Sequence, residues 1–315
     1  MPRAQLNPIE LEYQTFGQPE DTPVLLIMGL GMQLLGWPEE FCRNLARAGY
    51  YVIRYDNRDV GLSSKLEQLG RPPLLLNMLR HSLGWKIPAP YTLDDMAEDA
   101  IGLLDTLGIA RAHVVGASMG GMIAQLVVTH APERALSLTS IMSTTSAPGL
   151  PGPTVAARAC LTRRPPRKAY LPEQRELMVE FMLNNLRVLQ SPGFPMADEI
   201  AAARIRESLD RSLYPAGVLR QLLAVVSAPD RSTLLQQIKT PSLVVHGVDD
   251  PLIPLAAGQD TADKIPGARF VAVHGMAHDL APGVCARLEA LMLPHFAAAE
   301  DLARSRITAT AEVIE

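Results

Sequence analysis

The sequence predicts an α/β protein: a mostly parallel central sheet flanked by helices, with a helical insertion between two strands. Three observations carry that prediction. Short apolar runs alternate with amphipathic stretches at both ends of the chain, the pattern of a parallel sheet covered by helices. From Ala147 to about Pro215 that rhythm stops: the stretch offers no strand and is rich in Pro, Arg, Leu and Met. Within the first alternating region a glycine-flanked serine stands where an apolar run meets a helical pattern. The expected division is a core of residues 1–146 and 216–315 and a helical insertion over 147–215.

Element by element, Val24 to Met28 reads as a buried strand. Pro38 to Ala48 reads as a helix, with Phe41, Leu45 and Ala48 on one face and Gly49 as its stop. Tyr50 to Tyr55 is rich in β-formers and reads as the next strand. Thr92 to Leu107 carries the clearest helical signal. Thr92 and Asp95 form a capping pattern, Leu93, Met96, Ala97, Ala100, Ile101, Leu104 and Leu107 recur at helical spacing, and Gly108 terminates it. A strand at His113–Val115 and a helix from Met119 to about His130 come next. Inside the insertion, Gln174 to Gln190 and Asp198 to Leu213 have helical periodicity. Leu136–Met142, Leu243–His246 and Arg269–Val273 are the remaining strands, and Pro282 to Phe296 is the last core helix. The residues after Phe296 read as a polar helix or a loose tail.

Composition narrows the function classes. Hydrophobic residues at 48% and charged residues at 20% exclude general disorder. Lys and Arg number 29 against 33 Asp and Glu, so the net charge of −4 gives no electrostatic case for nucleic acid. Three scattered cysteines, Cys42, Cys160 and Cys285, make neither a disulfide framework nor a cysteine-based zinc site. The first residues lack the apolar stretch of a signal peptide. The longest charge-free run, Ala135 to Ala157, is broken by Ser, Thr, Pro and Gly. The expectation is a soluble, cytoplasmic protein with no stable membrane insertion.

The chemistry begins at Gly116-x-Ser118-x-Gly120. Alone, that pattern arises by chance in roughly one chain in ten of this length. Its place after a strand and at the start of a helix makes it specific, because that is what a nucleophile elbow requires. A serine on so tight a turn needs minimal neighbours two residues away, and Gly116 and Gly120 supply them. The same turn aims the Met119 N–H, at a helix N-terminus, toward a reacting carbonyl.

A hydroxyl nucleophile needs a base. Of seven histidines, His278 lies on the loop Gly275-Met-Ala-His278 after the last strand. His274 abuts the strand end and reads as structural, and His113 starts its strand at the wrong end of a parallel sheet and reads as a packed or surface imidazole. The acid that orients the base should follow a strand between Ser118 and His278. Gly247-Val-Asp-Asp-Pro251 places Asp249 and Asp250 in such a loop, and spacing alone leaves both open, one of them a turn residue. No Asp or Glu occurs between Met142 and Glu173, so the earlier strand supplies no acid.

These residues carry a resemblance. Gly116-Ala-Ser-Met-Gly-Gly121, Arg54-Tyr-Asp-Asn-Arg-Asp-Val-Gly-Leu-Ser63, Gly247-Val-Asp-Asp-Pro251 and Gly275-Met-Ala-His278 resemble the serine α/β-hydrolases with a helical cap. The resemblance covers about 24–65, 92–145 and 234–296. Leu35-Gly-Trp-Pro-Glu-Glu-Phe41, leading into Arg54-Tyr-Asp, is closely similar to the aclacinomycin methylesterase group, which removes a methyl ester from a polyketide. The chain order Ser118, Asp250, His278 is that of the family. The resemblance selects Asp250, the third residue after the strand-ending glycine. It implies Leu30 as the second oxyanion donor beside Met119, with Met28-Gly29 standing where the family has His-Gly. It also marks Asp56 and Arg58 as structural.

The expected protein is a carboxylic ester hydrolase with a small-molecule ester substrate and no metal or organic cofactor. The insertion is expected to close over Ser118 and exclude water. Leu30, Met32, Met119 and Met122 would line the pocket and favour a neutral, mostly hydrophobic ester, with core packing the equal alternative for Met122. The basic cluster Arg158, Arg163, Arg164, Arg167 and Lys168 reads as a solvated face, with an anionic substrate or membrane surface as the alternative. A C–C bond hydrolase, a lactonase or a perhydrolase would share the same three residues. A ligand receptor on this fold is a further alternative. Ser118 argues against dehalogenases and epoxide hydrolases of the fold, which use Asp as nucleophile.

Overall fold

The structure, a computed structural model, describes every residue except 1, 7, 74, 75, 78, 81, 82 and 313–315, with backbone only over 306–312. His81 lies outside the described residues. The strands are β1 (Arg3–Leu6), β2 (Ile9–Phe16), β3 (Thr22–Ile27), β4 (Tyr50–Tyr55), β5 (Ala112–Ala117), β6 (Ala135–Ile141), β7 (Ser242–Gly247) and β8 (Arg269–Val273). They form one sheet in the order β1-β2-β4-β3-β5-β6-β7-β8. Pairing is parallel from β4 through β8. The first two strands add an antiparallel edge. That edge is not among the strands expected from the sequence, although Ile9, Leu11 and Tyr13 alternate with polar residues.

Continuous apolar runs such as Val24–Ile27 are strands covered on both faces. Val24 and Leu26 pack into the cluster on one side, Leu25 and Ile27 into the cluster on the other. The side holding Val24 and Leu26 is covered by α1 (Glu39–Arg47) and by Val284, Leu288 and Phe296 of the last helix. The opposite side is covered by α2 (Leu93–Thr106) and α3 (Met119–His130). Thr92 and Asp95 close a full capping box at the start of α2. Helix α3 is buried at every residue from Met119 to Val128, which accounts for its apolar character all round.

Between β6 and β7 lie α4 (Val155–Thr162), α5 (Arg175–Leu189), α6 (Asp198–Arg211), α7 (Pro215–Val226) and the short α8 (Ser232–Leu235). Helices α5 and α6 match the two periodic stretches of the sequence. Helix α7 has no counterpart among the expected elements, although Pro215 stands at its first turn, where the missing N–H costs nothing. The expected boundary at 215/216 thus falls on the first turn of a helix. After α9 (Leu255–Lys264), helix α10 runs from Pro282 to Glu312 through Pro294, so the stretch after Phe296 continues the last core helix. No helix among the described residues is long and apolar enough to cross a membrane.

Salt bridges and hydrogen bonds tie the helices between β6 and β7 to loops of the core. Arg220 of α7 grips Asp59 with two bonds of 2.8 Å, both side chains fully buried. Arg211 of α6 meets Asp56 at 3.0 Å. Gln33 donates to the carbonyls of Ser208 and Ser212.

Candidate active site

The parallel strands all point their carboxyl ends to one edge of the sheet, and the loops leaving β3, β5, β7 and β8 meet there. Ser118 sits between β5 and α3 at φ 56° and ψ −121°, a sparsely populated conformation that costs about 1–3 kcal/mol. The flanking glycines permit it. A methyl on Gly116 would drive into the Gly120 carbonyl, and one on Gly120 into the Ile27 carbonyl. The Ser118 carbonyl accepts from Gly121 N–H at 2.9 Å and from Ser143 Oγ–H at 2.8 Å, which pins the turn.

His278 Nε2 lies 3.0 Å from Ser118 Oγ, and its Nδ1 lies 2.7 Å from Asp250 Oδ2. The other Asp250 oxygen accepts from the N–H groups of Leu252 and Ile253 at 2.8 and 2.9 Å. That leaves Oδ2 to receive Nδ1–H and leaves Nε2 as the acceptor facing the serine hydroxyl. A hydroxyl, an imidazole and a carboxylate in series can take the proton from a serine as it attacks. Asp249 points elsewhere: exposed, it accepts from Gly275 N–H at 2.8 Å and fastens the start of the His278 loop.

Behind the acid lies a group to which the sequence analysis assigns no role. His246 is fully buried on β7, donates Nε2–H to the Ile253 carbonyl at 2.7 Å and stands 3.7 Å from Asp250 Oδ2. Burial lowers its pKa and keeps the ring neutral. The only signal for it is a histidine four residues before the acid. His113, at the far end of the sheet, is buried against Phe296 with its Nδ1 2.8 Å from Ser137 Oγ. His274 is exposed.

The loop after β3 passes over the serine: a methyl on Gly29 would lie 3.1 Å from Ser118 Cβ. Among the described residues neither the Leu30 nor the Met119 N–H has an acceptor, whereas Gly31 N–H donates to Gln221 Oε1 at 2.8 Å. Gln221, fully buried on α7, also donates to the Arg58 carbonyl and so ties two loops together. Met28, in the place of the family's histidine, is buried and packs against Gly36, and Asn57 holds its carbonyl at 2.9 Å. Asp56 and Arg58 serve separate partners: Asp56 accepts from Leu34 and Leu62 N–H, while Arg58 pairs with Asp99. Leu30 is half-buried and Met32 is 50% exposed, but Met122, expected at the pocket wall, is 4% exposed within the core cluster beneath the sheet. Among the described residues no group of three or more His, Cys, Asp or Glu could hold a metal ion.

A family model described as the alpha/beta hydrolase fold matches residues 22–281. Rhodomycin D methylesterase DnrP of Streptomyces peucetius is 30% identical over 92% of this chain and 96% of its own length. A 2-hydroxy-6-oxononadienedioate/2-hydroxy-6-oxononatrienedioate hydrolase of Paraburkholderia phymatum is also 30% identical, over 83% of this chain and 82% of its own. Among solved structures, a meta-cleavage product hydrolase of Pseudomonas fluorescens IP01 superposes with a TM-score of 0.71 at 19% identity, covering 95% of this chain and 98% of that one.

Proposed function

The chain belongs to the α/β-hydrolase fold family, and from that membership we propose that it hydrolyses carboxylic esters through an acyl-enzyme on Ser118. The observation that carries the reading is the unbroken hydrogen-bond series from Ser118 through His278 to Asp250. Ser118 Oγ attacks the ester carbonyl while His278 Nε2 takes its proton, and Asp250 stabilises the imidazolium that forms. The Leu30 and Met119 N–H groups receive the developing oxyanion. As the tetrahedral intermediate collapses, the C–O bond to the alcohol breaks and His278 returns the proton to the leaving oxygen. Water, deprotonated by His278, then attacks the acyl carbon and releases the acid, restoring Ser118 Oγ–H.

The substrate class we assign is a small to medium neutral, mostly hydrophobic ester. Leu30 and Met32 present no charge to it, and Met119, 1% exposed in the same core cluster as Met122, offers its backbone N–H. Three guanidiniums on the surrounding loops and α6–α7 are held by carboxylates, Arg58 by Asp99, Arg211 by Asp56 and Arg220 by Asp59, and Arg204 of α6 donates to the Leu280 carbonyl at 3.4 Å. The likeness to a methylesterase over 92% of the chain supports the same choice.

Ser118→Ala tests the assignment directly. Turnover of short p-nitrophenyl esters should fall by about four to six orders of magnitude, and retained activity would reject it. The likeness to the Paraburkholderia hydrolase supports a second reading, C–C bond hydrolysis. Turnover of vinylogous diketones well above that of simple esters and lactones would favour it.

A further inference from the structure

We propose that Ser191 and Asp279 are positioning residues for His278, so that the helical insertion supplies part of the scaffold of the base. This rests on the reading of Ser118, His278 and Asp250 as the reacting set.

The loop between β8 and α10 is held from two sides. Its first half belongs to the core: Asp249 accepts from Gly275 N–H, and Asp249 N–H donates to the Met276 carbonyl at 3.0 Å. Its second half, which bears the base, is gripped by the turn between α5 and α6. His278 N–H donates to the Leu189 carbonyl at 3.0 Å, and Ala277 N–H donates to Ser191 Oγ at 2.8 Å. Ser191 Oγ–H donates in turn to Asp279 Oδ1, in a short contact, and Ser191 N–H donates to the same oxygen at 3.2 Å. Gly193 N–H donates to the Gly275 carbonyl at 2.9 Å. The two backbones approach so closely that a methyl on either Gly193 or Gly275 would lie 2.7 Å from the other's Cα.

Ser191 is fully buried and Asp279 is 7% exposed. Asp279 Oδ2 has no hydrogen-bond partner among the described residues. Burial raises the Asp279 pKa, so this carboxyl is expensive to keep where it is. What it gains is one oxygen that collects two donors from Ser191 and so fixes the residues on both sides of His278. The His278 ring itself is fixed at Nδ1 by Asp250, but the backbone N–H groups of Ala277 and His278 both donate into the insertion.

A reacting group displaced by about 1 Å can lose roughly a hundredfold in rate. Ser191→Ala and Asp279→Ala should therefore each lower kcat about 10- to 100-fold with KM changed less than about threefold. Asp279→Asn keeps an oxygen where Oδ1 stands, and should recover kcat to within about fivefold of the parent. Rates are to be taken per active site, titrated with a fluorophosphonate, on p-nitrophenyl ester. Ser191→Ala and Asp279→Ala variants that keep the parent kcat per titrated site would overturn the proposal, leaving only a folding role. Equal losses in Asp279→Asn and Asp279→Ala would overturn it too. Should Ser191→Ala yield no folded protein, the two Asp279 variants carry the same comparison. Failure of the parent protein itself to react with the fluorophosphonate would instead sink the functional reading.

Discussion

Replacing Asp250 by Asn separates orientation from mere presence of an acid. The amide can keep its oxygen at the Oδ1 position, where it still accepts from Leu252 and Ile253 N–H, so the loop keeps its shape. Its NH2 then occupies the Oδ2 position, 2.7 Å from His278 Nδ1. Two donors cannot face each other, so the ring must carry its proton on Nε2 and accept at Nδ1. Nε2–H then points at Ser118 Oγ, 3.0 Å away, and cannot take the serine proton. Loss of the correct tautomer costs about 10⁴-fold in kcat, the effect that the same exchange has in chymotrypsin-type triads. That ratio corresponds to about 5 kcal/mol of barrier. The assay is kcat/KM on p-nitrophenyl ester beside the urea midpoint, which should move little because the two amide bonds survive. Asp249→Asn, which alters only an exposed side chain bonded to Gly275 N–H, should lose less than about tenfold. An Asp250→Asn enzyme within tenfold of the parent would refute the assignment of the acid and the tautomer argument together.

Two further outcomes concern stability. Arg220→Met leaves Asp59 buried without its bidentate partner, and urea denaturation should show a loss of about 3–5 kcal/mol. Burial holds the His113 pKa down at about 3 from 6.5, so the unfolded chain binds a proton that the folded one does not. Its contribution is whole above pH 6.5 and is lost as pH falls toward 3, about 2 kcal/mol between pH 6.5 and 5. A His113→Gln variant should therefore show a flatter acid limb in its stability profile, measured by urea denaturation at each pH.

The central strands β3, β5 and β7 are legible in the sequence because a strand covered on both faces is mostly apolar. Helix α2 is legible from its capping pair and its spacing. The antiparallel edge escapes because Glu10, Glu12 and Gln14 interrupt the apolar pattern of β2, although Ile9 and Leu11 pack into one core cluster and Phe16 into the other. Helices α4 and α7 escape because Pro and Gly punctuate their segments: Pro151, Gly152 and Pro153 stand just before α4, and Pro215 and Gly217 open α7. Met122 shows a different gap. Its spacing from Ser118 suits a pocket wall and the core equally, and burial decides for the core.

Residue type and local order, by themselves, single out the proposed reacting groups. A serine between two glycines at a strand–helix junction, a histidine after the last strand and a carboxylate after the strand before it are chemical necessities that leave local marks. Spacing left Asp249 and Asp250 equivalent, the family resemblance chose Asp250, and the structure turns Asp250 toward the imidazole and Asp249 toward the Gly275 N–H. Nor does any local pattern reveal Ser191, Gln221 or Arg220. Each acts on a partner 86 to 190 residues distant in the chain. Such contacts are set by how the helices between β6 and β7 fold back onto the core, so tertiary structure alone decides them.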